Sequence, residues 1–145
     1  MRVNEKLTFN QYWFDNRFQY KKTILNGSLK KTFGDNIYYF DESTQNWHQA
    51  DSHHSLENGV INERNLNRDT KGEFVLISSE FFYFGINSIP IAKELKESFV
   101  VGINHRIVNE KIALKLIDNL MNNFEFGFHG KPRNFNDFER YDGVS

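Results

Sequence analysis

The sequence predicts an α+β fold, with a curved, mainly antiparallel sheet and about two or three helices in one compact domain spanning residues 1–145. Aromatic and β-branched runs indicate about five or six short strands. One long run near the C-terminus has its apolar residues at helical spacing. Strands do not alternate regularly with helices, which argues against a doubly wound parallel sheet. A chain of 145 residues also suits a single domain.

The strand signals come in groups along the chain. Residues 35–40 are typical of a strand, and residues 47–49 of the returning strand of a hairpin. Residues 74–78 and 81–84 give two further signals, which predict either one bent strand with a bulge or a tight hairpin. The apolar, β-rich run at 99–103 indicates one more strand.

Helices are predicted mainly in the second half. Residues 88–98 have a proline near the start and continue as a short amphipathic helix, whereas residues 24–33 predict a short helix or a turn. Asn109 is a good N-cap for the strongest helix. The apolar residues of that helix should form a buried stripe: Ile112, Leu116, Ile117, Leu120, Met121 and Phe124.

Two segments lack a regular period. Residues 50–72 form a long stretch that we expect to be irregular, and such loops in compact domains are usually functional or disordered. Its histidines favour a functional loop. Residues 125–145 form an aromatic tail that we expect to dock on the body or on a partner subunit through four phenylalanines: Phe126, Phe128, Phe135 and Phe138.

Composition excludes several classes of function. There is no cysteine, so disulfides, zinc–thiolate sites and thiol catalysis are excluded. A formal net charge of −1 argues against a general binder of duplex DNA, whose affinity depends on neutralising phosphates. Without an apolar leader or a run of bilayer length, we expect a soluble, cytoplasmic protein that binds no membrane.

The aromatic content is high, at 16% with fifteen Phe and six Tyr. One small core rarely needs so many rings, so some should line a groove, stack on a ligand or form a subunit interface. Trp47 and Tyr83 are the strongest candidates for ligand stacking, because each ring carries a polar group that needs a partner. Core packing is the alternative for each of them.

The most distinctive polar motif is the pair His53–His54, between Asp51 and Ser55. Imidazole titrates near neutral pH, so either histidine could be a general acid or base, or could contact a phosphate. Asp51 and Ser55 are then candidate ligand-binding residues. In extended structure adjacent side chains point to opposite faces, so at most one histidine would face a given pocket. The alternative is a loop anchored by histidine–aspartate hydrogen bonds.

Two further polar groups are candidates for the same site. Arg68 and Thr70 could hold a phosphate, with Asp69 between them, although such triplets also simply form turns. His105, as a catalytic candidate, and Arg106, as a ligand-binding candidate, follow the run at 99–103.

A metal site is a more specific interpretation of the same histidines and aspartates. His53 or His54, His105 and an aspartate (Asp51 or Asp69) would be its ligands. No ligand spacing supports this arrangement, and we expect neither a metal nor a cofactor.

Residues 17–107 carry a family resemblance. It lies in RFQ, NGSLKKTFGDNIYY, a tryptophan, DSHHS, an Asn-Gly turn, RDT, VLIS, FYFG and the pair Ile89-Pro90, in that order. Together these motifs resemble the nucleotide-modification-associated domain of the second type, a family of bacteria and their phages. The resemblance implies a link to DNA-base modification. Members often carry an upstream segment, so we expect a shortened member. A half-barrel like that of base-reading PUA-type modules is a fold analogy.

These observations leave three hypotheses. The first is a phage or bacterial module that binds a nucleotide or modified base, in free form or in single-stranded or modified DNA, and that could sequester a nucleotide immune signal in counter-defence. The second is a nucleotide-processing enzyme, either a phosphodiesterase-like hydrolase or a base- or sugar-modifying transferase, that uses His53, His54 and His105. The third is an interaction protein whose aromatic tail assembles homo-oligomers or binds a host protein.

Overall fold

Mixed helices and short strands confirm the predicted α+β class. The computed structural model describes residues 1–96, 107–132 and 139–140. The chain divides into two compact units. The larger unit comprises residues 3–77 and 134–145, and the smaller unit comprises residues 1–2 and 78–133.

A β-hairpin organises the larger unit, as the sequence predicts. Strand β2 (Tyr38–Asp41) pairs antiparallel with β3 (Asn46–Gln49), and Tyr38 lies opposite Gln49. The turn is held by Asp41, whose Oδ1 accepts hydrogen bonds from the Ser43 hydroxyl at 2.7 Å and the Ser43 backbone N–H at 2.9 Å. These bonds lower the pKa of Asp41 to about 2.

The remaining strands pair in a way that differs from the prediction. In the larger unit, β1 (Glu5–Leu7) pairs antiparallel with β4 (Val75–Ile77). In the smaller unit, β5 (Phe82–Tyr83) pairs in parallel with β6 (Gly127–Phe128). The described residues therefore form three two-stranded sheets and no single curved sheet or half-barrel. Residues 74–78 and 81–84 do not form a hairpin, because β4 and β5 each pair with a strand distant in sequence.

Helix α1 (Phe9–Phe14) packs beside the hairpin. Its start is fixed by a capping box, in which the Thr8 hydroxyl accepts from the Gln11 N–H while the Gln11 side chain accepts from the Thr8 N–H. The Asn10 side chain hydrogen-bonds to the backbone of β2 as a neighbouring strand would. Its amide donates to the Phe40 carbonyl at 2.9 Å, and its oxygen accepts from the Phe40 N–H at 2.7 Å.

We expect Asn10→Ala to lower the free energy of unfolding by about 1–2 kcal/mol, because it leaves two part-buried backbone groups of Phe40 without their partner. Urea unfolding followed by tryptophan fluorescence measures this. Asn46→Ala is the control, since the Asn46 side-chain amide donates to the Thr44 carbonyl in an exposed hydrogen bond. Equal effects of the two substitutions would contradict the assignment.

The stretch 50–72, expected to be irregular, contains helix α3 (Glu63–Asp69). The Asn62 side chain caps its start by accepting from the Asn65 N–H at 3.2 Å. Leu66 of this helix joins Ile37 and Tyr38 in the buried apolar core of the larger unit. Around that core lie fully buried polar side chains: Asn36, Ser52, Ser55 and Asn65. Hydrogen bonds therefore determine much of the packing near this helix.

The short helix α2 (Leu29–Thr32) lies within the predicted run at 24–33. In the smaller unit, α4 (Lys93–Lys96) and α5 (Glu110–Asn123) match the two predicted helices, and the Asn109 side chain caps α5 by accepting from the Lys111 N–H at 3.0 Å. Among the described residues, no helix is both long and apolar enough to span a bilayer.

The predicted buried stripe of α5 is only partly covered. Ile117 and Met121 are exposed, and the other members are half-buried: Ile112, Leu116, Leu120 and Phe124. Phe124 packs edge-on against Phe84, with ring centroids 5.0 Å apart. The run at 99–103 and the tail residues Phe135 and Phe138 lie outside the described residues.

Candidate functional site

The polar centre of the larger unit is the contact between His54 and Asp69. His54 Nδ1 lies 2.6 Å from Asp69 Oδ2. The Tyr38 hydroxyl donates to the same carboxylate oxygen at 2.8 Å and lies 3.3 Å from His54 Nδ1. A loop, a helix and a strand thus each supply one side chain to a single cluster. We call His54, Asp69 and Tyr38 the histidine cluster.

The backbone of His54 is fixed on both sides. Its N–H donates to the Ser52 hydroxyl at 3.2 Å. Its carbonyl accepts from the side chains of Gln49 and Asn65, each at 2.9 Å. Gln49 comes from β3 and Asn65 from α3, so the hairpin and the helix together determine where the imidazole lies.

Asp69 also accepts from the Arg68 Nε–H, at 3.1 Å. Burial acts to raise the pKa of Asp69, but the hydrogen bonds from Tyr38 and Arg68 and the proximity of His54 lower it overall. Burial, followed by the hydrogen bond to Asp69, raises the pKa of Tyr38. The cluster therefore holds an ionised carboxylate beside a protonated phenol at neutral pH.

His53 has a different environment. Its ring packs against Phe33, with centroids 5.1 Å apart, and edge-on against His54, at 4.3 Å. The two rings meet because residues 53–54 form a turn, whereas the extended backbone considered from sequence would separate them. The His53 Nδ1 atom is buried without a hydrogen-bond partner. Burial, with a smaller effect of His54, lowers the pKa of His53 to about 4. His53 is therefore neutral at pH 7.

Asp51 and Ser55 lie at the two ends of this turn and face each other. The Ser55 hydroxyl donates to Asp51 Oδ1 at 2.9 Å. Arg140 Nη1 joins them, at 2.9 Å from Asp51 Oδ1 and 2.7 Å from Ser55 Oγ. Sequence reasoning missed Arg140, because a lone arginine 85 residues further along the chain has no spacing that relates it to the turn.

The other sequence candidates have separate surroundings. The Thr70 hydroxyl donates to the Leu66 carbonyl at 2.8 Å, so it completes the last turn of α3. Tyr83 lies in the smaller unit, where its half-exposed ring contacts Phe128. His105 and Arg106 lie outside the described residues.

Trp47 packs into the core and also borders an open groove. Its ring contacts Phe9 and Phe40 edge-on, at 5.4 and 5.5 Å. The groove has a volume of about 500 Å³ and is lined by the hairpin turn, β3, the residue before the α3 cap and α3: Thr44, Gln45, Asn46, Trp47, His48, Ile61, Glu63, Leu66 and Asn67. Trp47 is paired directly with Phe40, and directly paired residues of an antiparallel hairpin share a face. Phe40 and Tyr38 alternate along β2 and so also share a face. Trp47 therefore lies on the same face of the hairpin as Tyr38.

A metal site would require several histidine and acidic side chains to lie close to one point. Within residues 1–96, 107–132 and 139–140, no group of three or more histidine, aspartate or glutamate side chains is arranged to hold a metal ion. His105, a member of the proposed ligand set, lies outside these residues.

Comparison with known proteins decides the family. The model of nucleotide modification associated domain 2 matches residues 1–139. The chain belongs to this family. The match extends on both sides of residues 17–107, where the resemblance is visible by eye. No curated protein and no solved structure matches the chain. Membership in nucleotide modification associated domain 2 indicates a role in nucleotide modification systems.

Proposed function

We propose that this member of the family binds a nucleotide or a modified base through His54. The supporting observation is the 2.6 Å contact that holds the imidazole on Asp69. A carboxylate on Nδ1 fixes the orientation of the ring and favours the tautomer that carries its proton there. In that tautomer Nε2 carries the lone pair, which can accept a hydrogen bond from an amino or imino group of a base.

We expect the neighbouring Arg68 to bind the phosphate of the nucleotide. Arg68 holds Asp69 through its Nε–H, and its side chain is 44% exposed. A guanidinium that is oriented by a carboxylate and partly exposed suits a phosphate, because its planar fork matches phosphate oxygens. The formal charge of −1 then favours one bound nucleotide over a long nucleic acid.

The groove beside Trp47 suits the base. Asn46 and Asn67 line it, and amide side chains can read the hydrogen-bonding edge of a base. The indole adds an aromatic surface, and base–aromatic contact contributes roughly 1–3 kcal/mol. Because Trp47 and Tyr38 share a face of the hairpin, one ligand could contact both the groove and the histidine cluster.

Titration calorimetry with the four 2′-deoxynucleoside 5′-monophosphates and their 5-hydroxymethylpyrimidine analogues tests this function. We expect at least one to bind, and His54→Ala to weaken its affinity by about tenfold or more, since one hydrogen bond to a polar ligand group is worth about 1.5 kcal/mol. His129→Ala is the control, because His129 lies in the smaller unit and stacks on Phe84. Binding of none of the probes, or equal losses in the two variants, would contradict the proposal.

An enzymatic function is the second candidate, and the Asp69–His54 contact also favours it. An imidazole oriented by a carboxylate is a common general base. Chromatography of each probe after incubation separates the two functions. A product that is lost in His54→Ala supports an enzyme, whereas recovery of unchanged nucleotide supports a binding module.

A phage-encoded binder of this kind would also be able to sequester a nucleotide immune signal.

A further inference from the structure

The turn that carries both histidines is closed by an arginine far away in sequence. Arg140 Nη1 lies 2.7 Å from the Ser52 carbonyl, 2.7 Å from Ser55 Oγ and 2.9 Å from Asp51 Oδ1, with the Ser55 carbonyl at 3.4 Å. One guanidinium nitrogen therefore contacts both ends of the turn. His53 and His54 lie between those ends.

These contacts are largely removed from water. Ser52 and Ser55 are fully buried, and the Arg140 side chain is only 25% exposed. The Asp51 carboxylate balances the charge of the guanidinium at 2.9 Å. The Asp51 carboxylate is 35% exposed, so the main cost of losing the guanidinium would be the loss of a donor to the buried Ser52 carbonyl and Ser55 hydroxyl. Loss of Arg140 would therefore loosen the turn rather than leave it unchanged.

The contact continues to the histidine cluster through Ser52. Arg140 holds the Ser52 carbonyl, and the Ser52 hydroxyl accepts from the His54 N–H. We propose that Arg140 is a positioning residue for His54: it closes the Asp51–Ser55 turn and so holds the imidazole against Asp69. The inference rests on the proposed function only where nucleotide affinity is the readout. Residue 140 lies just beyond the family match, which ends at residue 139.

The direct test is NMR of the full chain, with the rate at which the His54 Nδ1 proton exchanges with water as the readout. We expect Arg140→Ala to accelerate exchange by about tenfold or more, the amount that corresponds to losing one charged hydrogen bond. Arg140→Lys should restore part of the protection, because an ammonium keeps the charge but cannot reproduce the fork. Arg17→Ala is the matched control, since Arg17 pairs with Glu5 and Asp15.

The outcomes are distinct. Exchange in Arg140→Ala that stays within about twofold of Arg17→Ala would overturn the positioning role. If Arg140→Ala does not fold, Arg140→Lys decides the question, since an ammonium keeps the charge beside Asp51 but cannot reproduce the fork: exchange unchanged from the wild type overturns the role, and faster exchange supports it. Faster exchange in a protein that binds none of the deoxynucleotides would refute the proposed function and support the positioning role.

Discussion

Asp69→Asn should lower the free energy of unfolding by about 3 kcal/mol and weaken nucleotide binding by about tenfold or more. Asp69 accepts hydrogen bonds from the Tyr38 hydroxyl, the His54 imidazole and the Arg68 guanidinium. An asparagine keeps the shape but replaces one acceptor oxygen by a donor, so at least one partially buried donor loses its partner. Such a loss costs roughly 1–3 kcal/mol for each group, and more where a charge is involved.

The effect on binding has a separate cause. Without a carboxylate on Nδ1, the imidazole can change tautomer and rotate, and the proton on Nε2 then faces the ligand. A ligand group that donates to His54 in the wild-type protein would meet another donor. We therefore expect Asp69→Asn to weaken binding at least as much as His54→Ala does.

Urea unfolding followed by fluorescence reports directly on this region, because both tryptophans, Trp13 and Trp47, belong to the larger unit. Glu73→Gln is the matched control, since it neutralises an exposed carboxylate in the same unit. Tyr38→Phe should give an intermediate loss of about 1 kcal/mol, because it removes one of the three donors. Equal stabilities of Asp69→Asn and Glu73→Gln would show that the histidine cluster contributes nothing to the fold.

The features that the sequence predicts well are those with local causes. The hairpin follows from an aromatic run, a polar turn and a second run within residues 35–49. Helix α5 follows from an N-cap and an apolar period, and both are visible in the sequence around Asn109. In each case the deciding contacts join residues that are near in sequence.

The features that the sequence does not reveal depend on distant pairing. The partner of β5 is β6, more than forty residues later, and the contact of Arg140 with Asp51 spans 89 positions. Helix α3 was missed because its seven residues contain one buried apolar side chain, Leu66, and otherwise bury polar groups. Hydrophobic periodicity cannot identify a helix that packs mainly through hydrogen bonds.

The histidine cluster shows both what the sequence predicts and what it does not reveal. His54 and Asp69 are each candidates from sequence, because histidine and aspartate are chemically suited to a polar centre. Their contact across fifteen positions requires that the intervening chain form α3 and return Asp69 to the turn. Residue type therefore identifies the members of the cluster, whereas the fold determines which members meet.

The second large effect should be a loss of stability in mild acid that depends on His53. The folded protein holds the pKa of His53 at about 4, against an ordinary value of 6.5. Between these values the unfolded chain binds more protons than the folded chain, so stability falls as the pH falls from about 6.5 and levels off below about 4. The shift corresponds to at most about 3 kcal/mol, and to about 2 kcal/mol once the partial exposure of the ring is considered.

Replacement by leucine separates this effect from other causes of acid sensitivity. The His53 Nδ1 atom is buried without a hydrogen-bond partner, and the ring lies against Phe33, so His53→Leu should cost little at pH 7 or even stabilise the protein. The variant should lose the decline between pH 6.5 and 4, which urea unfolding at several pH values measures. The low pKa of Asp69 stabilises the folded protein above the ordinary value of 3.8, and this stabilisation is lost only as the pH falls below that value. Asp69 therefore acts outside this window. His48→Leu is expected to keep the decline, and a decline that persists unchanged in His53→Leu would place its origin elsewhere.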